Sequence, residues 1–273
     1  MDIRLVVSDL DGTALLARAG SRVSKEVVAA ARIAGEAGIL LSVATGRPVC
    51  KTLEVLDQLE VEVPVVVNGG TKLYDPVTHR VLWGVPIPDH SLDYLADVAS
   101  SFHFEVLMDE EEHGDGDVLA QRLASWRGEP IHAMYLVGVP VGEAPAVMQI
   151  LAKVPGVACA VSSHPFPGEF VDIQITSEHG TKASGVSQLL SHLGVSSNET
   201  LGVGDSDNDL PMFSAVGTSA AMGNANWRVK EAATLVVPSV GAHGLATILY
   251  SLARDPSGKH LNAAWSKVNS YWT

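Results

Sequence analysis

Short, unbroken apolar runs alternate with longer stretches of helical periodicity over much of the chain. Residues 3–8, 39–44, 63–67 and 200–204 are continuous apolar runs, as expected of strands covered on both faces in a parallel sheet. Between the first two lies a helical pattern. Ser24 is placed as N-cap, Val27, Val28, Ala31 and Ala34 form an apolar stripe, and Gly38 can end the helix in a left-handed turn. A second such pattern follows Lys182, through Val186, Leu189, Leu190 and Leu193, and ends at Gly194. Strands separated by helices predict βαβ units and a doubly wound α/β sheet.

The middle of the chain departs from that rhythm. Asn68-Gly69-Gly70 is expected to turn a hairpin between 63–67 and 71–74. From about 83 to 178 the pattern predicts helices over 91–101 and 143–153. It predicts strands near 104–108, 131–137, 157–162 and 170–176, with prolines at the turns. That mixture predicts a smaller α+β domain at 83–178, inserted into a discontinuous core of 1–82 and 179–273.

Composition narrows the classes. Of 273 residues 47% are hydrophobic, enough for a sizeable core, and the net charge of −13 disfavours nucleic acid and anionic membranes as partners. Two separated cysteines, Cys50 and Cys159, supply neither a disulfide framework nor a zinc site. No run is long enough to span a bilayer, and the opening residues lack a signal-peptide layout, so a cytoplasmic protein is expected.

Three strand ends carry candidate chemistry. The first run leads into Asp9-Leu10-Asp11-Gly12-Thr13, the second into Thr45-Gly46-Arg47, and the last into Gly204-Asp205-Ser206-Asp207-Asn208-Asp209. Ligands of open α/β sheets bind beyond the carboxyl ends of the strands. Thr45 also suits an N-cap for the segment after Pro48. If Asp9, Asp11, Asp205 and Asp209 converge, their like charges resist joint ionisation. A hard divalent cation relieves that conflict, and an all-oxygen set with waters suits Mg2+. With a hydroxyl and a lysine, for which Lys182 is the candidate, such a site can bind and transfer a phosphoryl group.

Taken in order, Asp9-Leu10-Asp11-Gly12-Thr13, Thr45, Lys182 and Gly204-Asp205-Ser206-Asp207-Asn208-Asp209 resemble the four motifs of the haloacid dehalogenase-like (HAD) hydrolases. More narrowly they are similar to those of the Cof-type phosphatases with a type II cap. The chain departs from the Cof pattern at Gly70, where alanine is usual, at Ala183, where glycine is common after the lysine, and in a short cap. The resemblance implies a Rossmann-like core and a Mg2+-dependent phosphatase acting on a small phosphorylated metabolite. It implies Asp9 as nucleophile forming an aspartyl-phosphate and Asp11 as general acid and base. Thr45 and Lys182 would hold the phosphoryl oxygens, and Asp9, Asp205 and the Asp11 carbonyl would ligate Mg2+ with Asp209 in support. Gly46, Arg47, Asn68 and Asn208 are the remaining candidate substrate contacts.

Two rival readings share these residues. A sugar phosphomutase would pass the phosphoryl group to a second hydroxyl. A receiver domain would accept phosphate from a kinase, but such domains are about half this length and lack the inserted segment. The acidic stretch 109–117 is expected to be a solvated loop, and Leu261, Trp265, Val268 and Trp272 recur at helical spacing near the end. A monomer or weak homodimer is expected.

Overall fold

The computed structural model describes residues 2–16, 22–99, 104–108, 111–113, 130–163 and 168–258. Its central layer is a parallel sheet built from β1 (Leu5–Ser8), β2 (Leu40–Val43), β11 (Thr200–Gly204), β12 (Thr218–Ala221) and β13 (Leu235–Val236). The strand order is β13-β12-β11-β1-β2, which makes β1 a central strand paired in parallel with β11 and β2.

Burial on both faces explains why β1 is apolar at successive positions. Val6 packs toward α1 (Lys25–Glu36) and α8 (Gly244–Arg254). Leu5 and Val7 pack on the opposite side toward α5 (Lys182–Leu193), α6 (Leu210–Ala215) and α7 (Trp227–Ala232). Each fully buried aliphatic side chain of this kind contributes roughly 1.5–3 kcal/mol. The first helix begins where the sequence places it, with the Ser24 side chain accepting from the Val27 amide, and its buried stripe is Val27, Ala30, Ala31 and Ala34. Gly194 ends α5 in a left-handed turn, as its position in the sequence suggests.

A second, antiparallel sheet forms in the middle of the chain from β6 (Glu105–Met108), β7 (Glu111–His113), β8 (Ala133–Pro140), β9 (Val157–Ser163) and β10 (Phe170–Ser177), in the order β7-β6-β8-β10-β9. One face packs on α3 (Asp89–Ala99) and α4 (Ala144–Leu151) through Val106, Met134, Leu136, Ile173 and Ile175. Leu107, Ala133 and Tyr135 form a separate cluster on the other face.

Three expectations need correction. The 63–67 run does not join the parallel sheet by an extended ladder. Val65–Val67 (β3) heads a three-stranded antiparallel sheet with β4 (Lys72–Asp75) and β5 (Arg80–Gly84), and meets the end of β2 through the parallel Ala44–Val66 pair. The cause is the turn at Asn68–Gly70, which folds β4 back onto β3. Thr45 is not a helix N-cap: its hydroxyl accepts from the Arg47 amide, and the short helix α2 (Leu53–Gln58) is preceded by Thr52. Within the acidic stretch, Glu111–His113 is an edge strand rather than loop, because its backbone pairs with Val106–Met108. Residues 109–110 and 114–117 of that stretch, and 259–273 with Leu261, Trp265, Val268 and Trp272, lie outside the described residues. Among the described residues no helix is long and apolar enough to cross a membrane.

Candidate active site

Strand register assembles the site. Ser8 pairs with Val203 on β11 and with Val43 on β2, so the residues that follow all three strands emerge side by side. The Asp9 amide bonds the Val203 carbonyl at 2.8 Å, and the Ala44 amide bonds the Ser8 carbonyl at 2.9 Å. Asp9, Thr45 and Asp205 therefore leave one sheet edge at the same end.

Lys182 enters from α5, whose N-cap Thr181 and third residue Ser184 form a reciprocal capping box. Its Nζ lies 2.6 Å from Asp9 Oδ1 and 2.6 Å from Asp209 Oδ1, and all three side chains are buried. Gly70 makes this placement possible. It sits at φ +111°, and a Cβ there would overlap the Thr181 carbonyl and the Lys182 amide. The departure from alanine noted in the sequence thus has a local reason: β-turn backbone and helix start touch directly.

Carboxylate oxygens of Asp9, Asp205 and Asp209 lie within 4.8 Å of one another. Asp209 is held from several sides: its Oδ2 accepts the amides of Asp205 (2.9 Å) and Ser206 (3.0 Å) while Oδ1 faces Lys182. Gly12, at φ +86°, lets the first loop pass under Asp205, where a Cβ would overlap the Asp205 carboxylate. The Asp11 side chain stands apart from this cluster. Arg47 grips it with two donors, Nε to Oδ2 at 2.7 Å and Nη2 to Oδ1 at 2.5 Å.

Electrostatics follow from burial. Asp9 is raised well above the ordinary aspartate value by desolvation, with Asp209 and Asp205 adding to it and Lys182 opposing. Asp205 is pushed up to about 6, first by desolvation and then by Asp209, against a hydrogen bond from Thr13. Burial alone would lower Lys182, but Asp209 and Asp9 outweigh it and hold the ammonium above its usual range. With raised pKa values Asp9 and Asp205 hold protons in the folded chain that they would lose in the unfolded one. In the metal-free protein the stability that Asp205 contributes is present below about pH 4 and is lost as pH rises through about 6.

The remaining sequence candidates fall around this cluster. Thr45 is buried, and the Gly46 carbonyl faces the second sheet. Asn68 is buried in the β3–β4 turn, where its amide bonds the Arg47 carbonyl at 2.9 Å. Asn208 lies at the surface, its Oδ1 accepting from Ser206 Oγ. Four residues were not singled out from sequence as site residues. Asn224 donates to the Gly12 carbonyl (2.9 Å) and to Asp205 Oδ2 (3.1 Å) and accepts from the Val240 amide, tying two site loops to a third. Thr13 donates to Asp205 at 3.3 Å. Tyr135 Oη and Gln174 Nε2, from β8 and β10, both donate to the Gly46 carbonyl, at 2.8 and 3.1 Å. The signal available for Asn224 was a polar residue one glycine past the apolar run 220–222. Tyr135 and Gln174 gave none, since they look like ordinary strand residues.

A sheet of this topology, with acidic side chains converging beyond β1 and β11, has its candidate site where open α/β sheets bind ligands. The chain belongs to the haloacid dehalogenase-like hydrolases, whose family model matches residues 6–115 and 151–249. It is 26% identical to pyridoxal phosphate phosphatase YbhA of Escherichia coli over 92% of this chain and 99% of that one. It is 25% identical to a phosphoglycolate phosphatase of Aeropyrum pernix over 93% and 97%. Among solved structures it resembles a haloacid dehalogenase-like hydrolase from B. subtilis (TM-score 0.73, 22% identity, 90% of this chain and 99% of that one). It also resembles the HAD subclass IIB sugar phosphatase BT4131 (TM-score 0.71, 20% identity, 91% and 98%). The chain is an enzyme of this family.

Proposed function

We propose that the protein is a Mg2+-dependent phosphomonoesterase that hydrolyses a small phosphorylated metabolite through an aspartyl-phosphate on Asp9. The observation that carries this reading is the buried contact of Asp9 with Lys182 at the sheet edge, beside Asp205 and Asp209. A carboxylate so placed can attack phosphorus in line while the ester P–O bond breaks, and Lys182 offsets charge on the phosphoryl oxygens. Asp11, once released from Arg47 and protonated, gives its proton to the departing alkoxide. It then takes one from the water that cleaves the acyl phosphate, restoring both carboxyl groups. Thr45 supplies a hydroxyl to the phosphoryl oxygens, and Asn68 and Asn208 orient the loops around it.

The donor set fits a hard divalent ion: oxygen only, two of the three carboxyl groups raised in pKa, and no sulfur or imidazole within the cluster. Asp9, Asp205 and the Asp11 carbonyl would hold Mg2+, with Asp209 fixing the Asp205 loop from behind. Bound there, the ion would neutralise charge on the transferring phosphoryl group. Residues 83–178 act in this reading as a cap that closes over the site and excludes water.

The test is hydrolysis of 4-nitrophenyl phosphate. Activity is expected with Mg2+, is lost on chelation and returns when Mg2+ is restored. Because Asp205 must be ionised to bind the ion, more Mg2+ is needed for half-activation below pH 6 than above it. Full activity in excess chelator, or a requirement that does not change across pH 6, contradicts the site.

A further inference from the structure

Backbone bonds tie down both ends of the segment that carries Thr45 and Arg47. The Thr45 amide donates to the Val66 carbonyl (2.9 Å), and the Thr45 carbonyl accepts from the Gly69 amide (3.0 Å). The Arg47 carbonyl accepts from the Asn68 amide (2.9 Å). The Gly46–Arg47 peptide between them is held by side chains instead. Its carbonyl accepts from Tyr135 Oη at 2.8 Å and Gln174 Nε2 at 3.1 Å, and its N–H donates to Thr45 Oγ1 at 3.1 Å.

That peptide is planar and trans, so its C=O and N–H point in opposite directions. Fixing the carbonyl therefore fixes the direction in which the Arg47 N–H leaves. One end of the plane meets the second sheet, and the other meets the Thr45 hydroxyl.

The two donors are a built pair. Tyr135 on β8 and Gln174 on β10 are register partners, so their side chains share a face, and both are buried. Gln174 Nε2 gives one hydrogen to Gly46 and the other to Tyr135 Oη at 3.1 Å, while the tyrosine hydroxyl gives its one to Gly46. The carbonyl thus takes two bonds, one for each lone pair. Gly69, at φ +72°, lets the Gln174 amide lie against the β3–β4 turn, where a Cβ would come within 2.8 Å of it.

At the far end, the amide decides what Thr45 can do. A hydroxyl that accepts from an N–H keeps its own hydrogen for a different acceptor, directed away from that donor. Two donors on one carbonyl also polarise the peptide and strengthen its N–H as a donor. Thr45 is buried at the sheet edge from which Asp9 and Asp205 also emerge, so its hydrogen is held for an oxygen at that edge.

We propose that Tyr135 and Gln174 are positioning residues for phosphoryl transfer. By holding the Gly46 carbonyl they fix the Gly46–Arg47 peptide, which in turn orients the Thr45 hydroxyl toward the phosphoryl oxygens. This role rests on the phosphatase reading and adds to it two residues of the antiparallel sheet that act through the backbone.

A double-mutant cycle with Thr45 tests it. Y135F and Q174M keep the bulk of each side chain but leave a buried carbonyl short of a donor, so the peptide can turn. Each is expected to lower kcat/KM for 4-nitrophenyl phosphate about fivefold, and to weaken calorimetric binding of inorganic phosphate to the Mg2+-loaded enzyme by a similar factor. In a T45V background the same substitutions are expected to change either quantity by less than about 1.5-fold, because the hydroxyl they orient is gone. Phosphate binding needs no turnover, so the cycle closes even where T45V is too slow to assay. Y135F and Q174M are read independently, and thermal melting checks the fold of each. Equal losses in both backgrounds mean that the pair only docks one sheet on the loop, and overturn the role. So does the absence of any loss in the wild-type background. In either case wild-type hydrolysis of 4-nitrophenyl phosphate leaves the phosphatase reading standing. A wild-type protein that neither hydrolyses that ester nor binds phosphate overturns the reading and the role together.

Discussion

Asp9→Asn abolishes hydrolysis of 4-nitrophenyl phosphate, lowering kcat by on the order of 1,000-fold or more, as expected when a covalent nucleophile is removed. The fold survives. Asparagine matches aspartate in shape, Lys182 keeps its 2.6 Å partner Asp209, and one of three crowded carboxylates is gone. Because Asp9 is raised in pKa mainly by desolvation, the metal-free variant is expected to melt at or slightly above the wild-type temperature at pH 7. Activity is thus expected to vanish with no fall in melting temperature, a pattern that general unfolding does not produce. A variant with near wild-type kcat assigns the nucleophile elsewhere.

Lys182→Met does the reverse to stability. It removes the buried cation from between Asp9 and Asp209 and leaves their charges uncompensated. Breaking a buried pair from one side costs about 3–5 kcal/mol, which for a chain of this size lowers Tm by on the order of 10 °C. Activity falls by at least about 100-fold, since a positive charge at the phosphoryl oxygens is lost as well. Mg2+ is expected to raise the Tm of this variant more than that of the wild type, because it becomes the main cation facing the carboxylates. Differential scanning calorimetry with and without Mg2+ measures both melting shifts, and hydrolysis of 4-nitrophenyl phosphate measures the loss of activity. A melting temperature within a degree or two of wild type would mean that Lys182 does not hold the cluster together.

What could be read from the sequence follows from burial geometry. Strands β1 and β11 announced themselves because a strand covered on both faces must be apolar at every position, and the sheet's parallel pairing then delivered Asp9 and Asp205 to the same edge. Ser24, Gly38 and Gly194 marked helix ends because caps and left-handed turns admit few residue types. The 63–67 run is as apolar as β1 and so read as a further parallel strand, yet the hairpin turn expected at 68–70 is present and gives it an antiparallel partner instead. Strands β12 and β13 are short and escaped notice for want of a run long enough to stand out. The contacts between the antiparallel sheet and the Gly46 loop were the least visible. Tyr135 and Gln174 lie far from Gly46 in the chain, and their role depends on how that sheet rests on the loop after β2. The ion pair of Arg47 with Asp11 was similarly hidden, since Arg47 alone suggested a contact with substrate and Asp11 an acid–base and metal-binding role.

The reaction course is tested most directly by quenching the enzyme in acid during turnover at saturating substrate and mapping the phosphoryl group by mass spectrometry of its peptides. The account predicts one phosphoryl group, on the peptide that holds Asp9 and on that side chain, and none in Asp9→Asn. A phosphoryl group on any other side chain, or full turnover with no phosphorylated enzyme at any quench time, contradicts it.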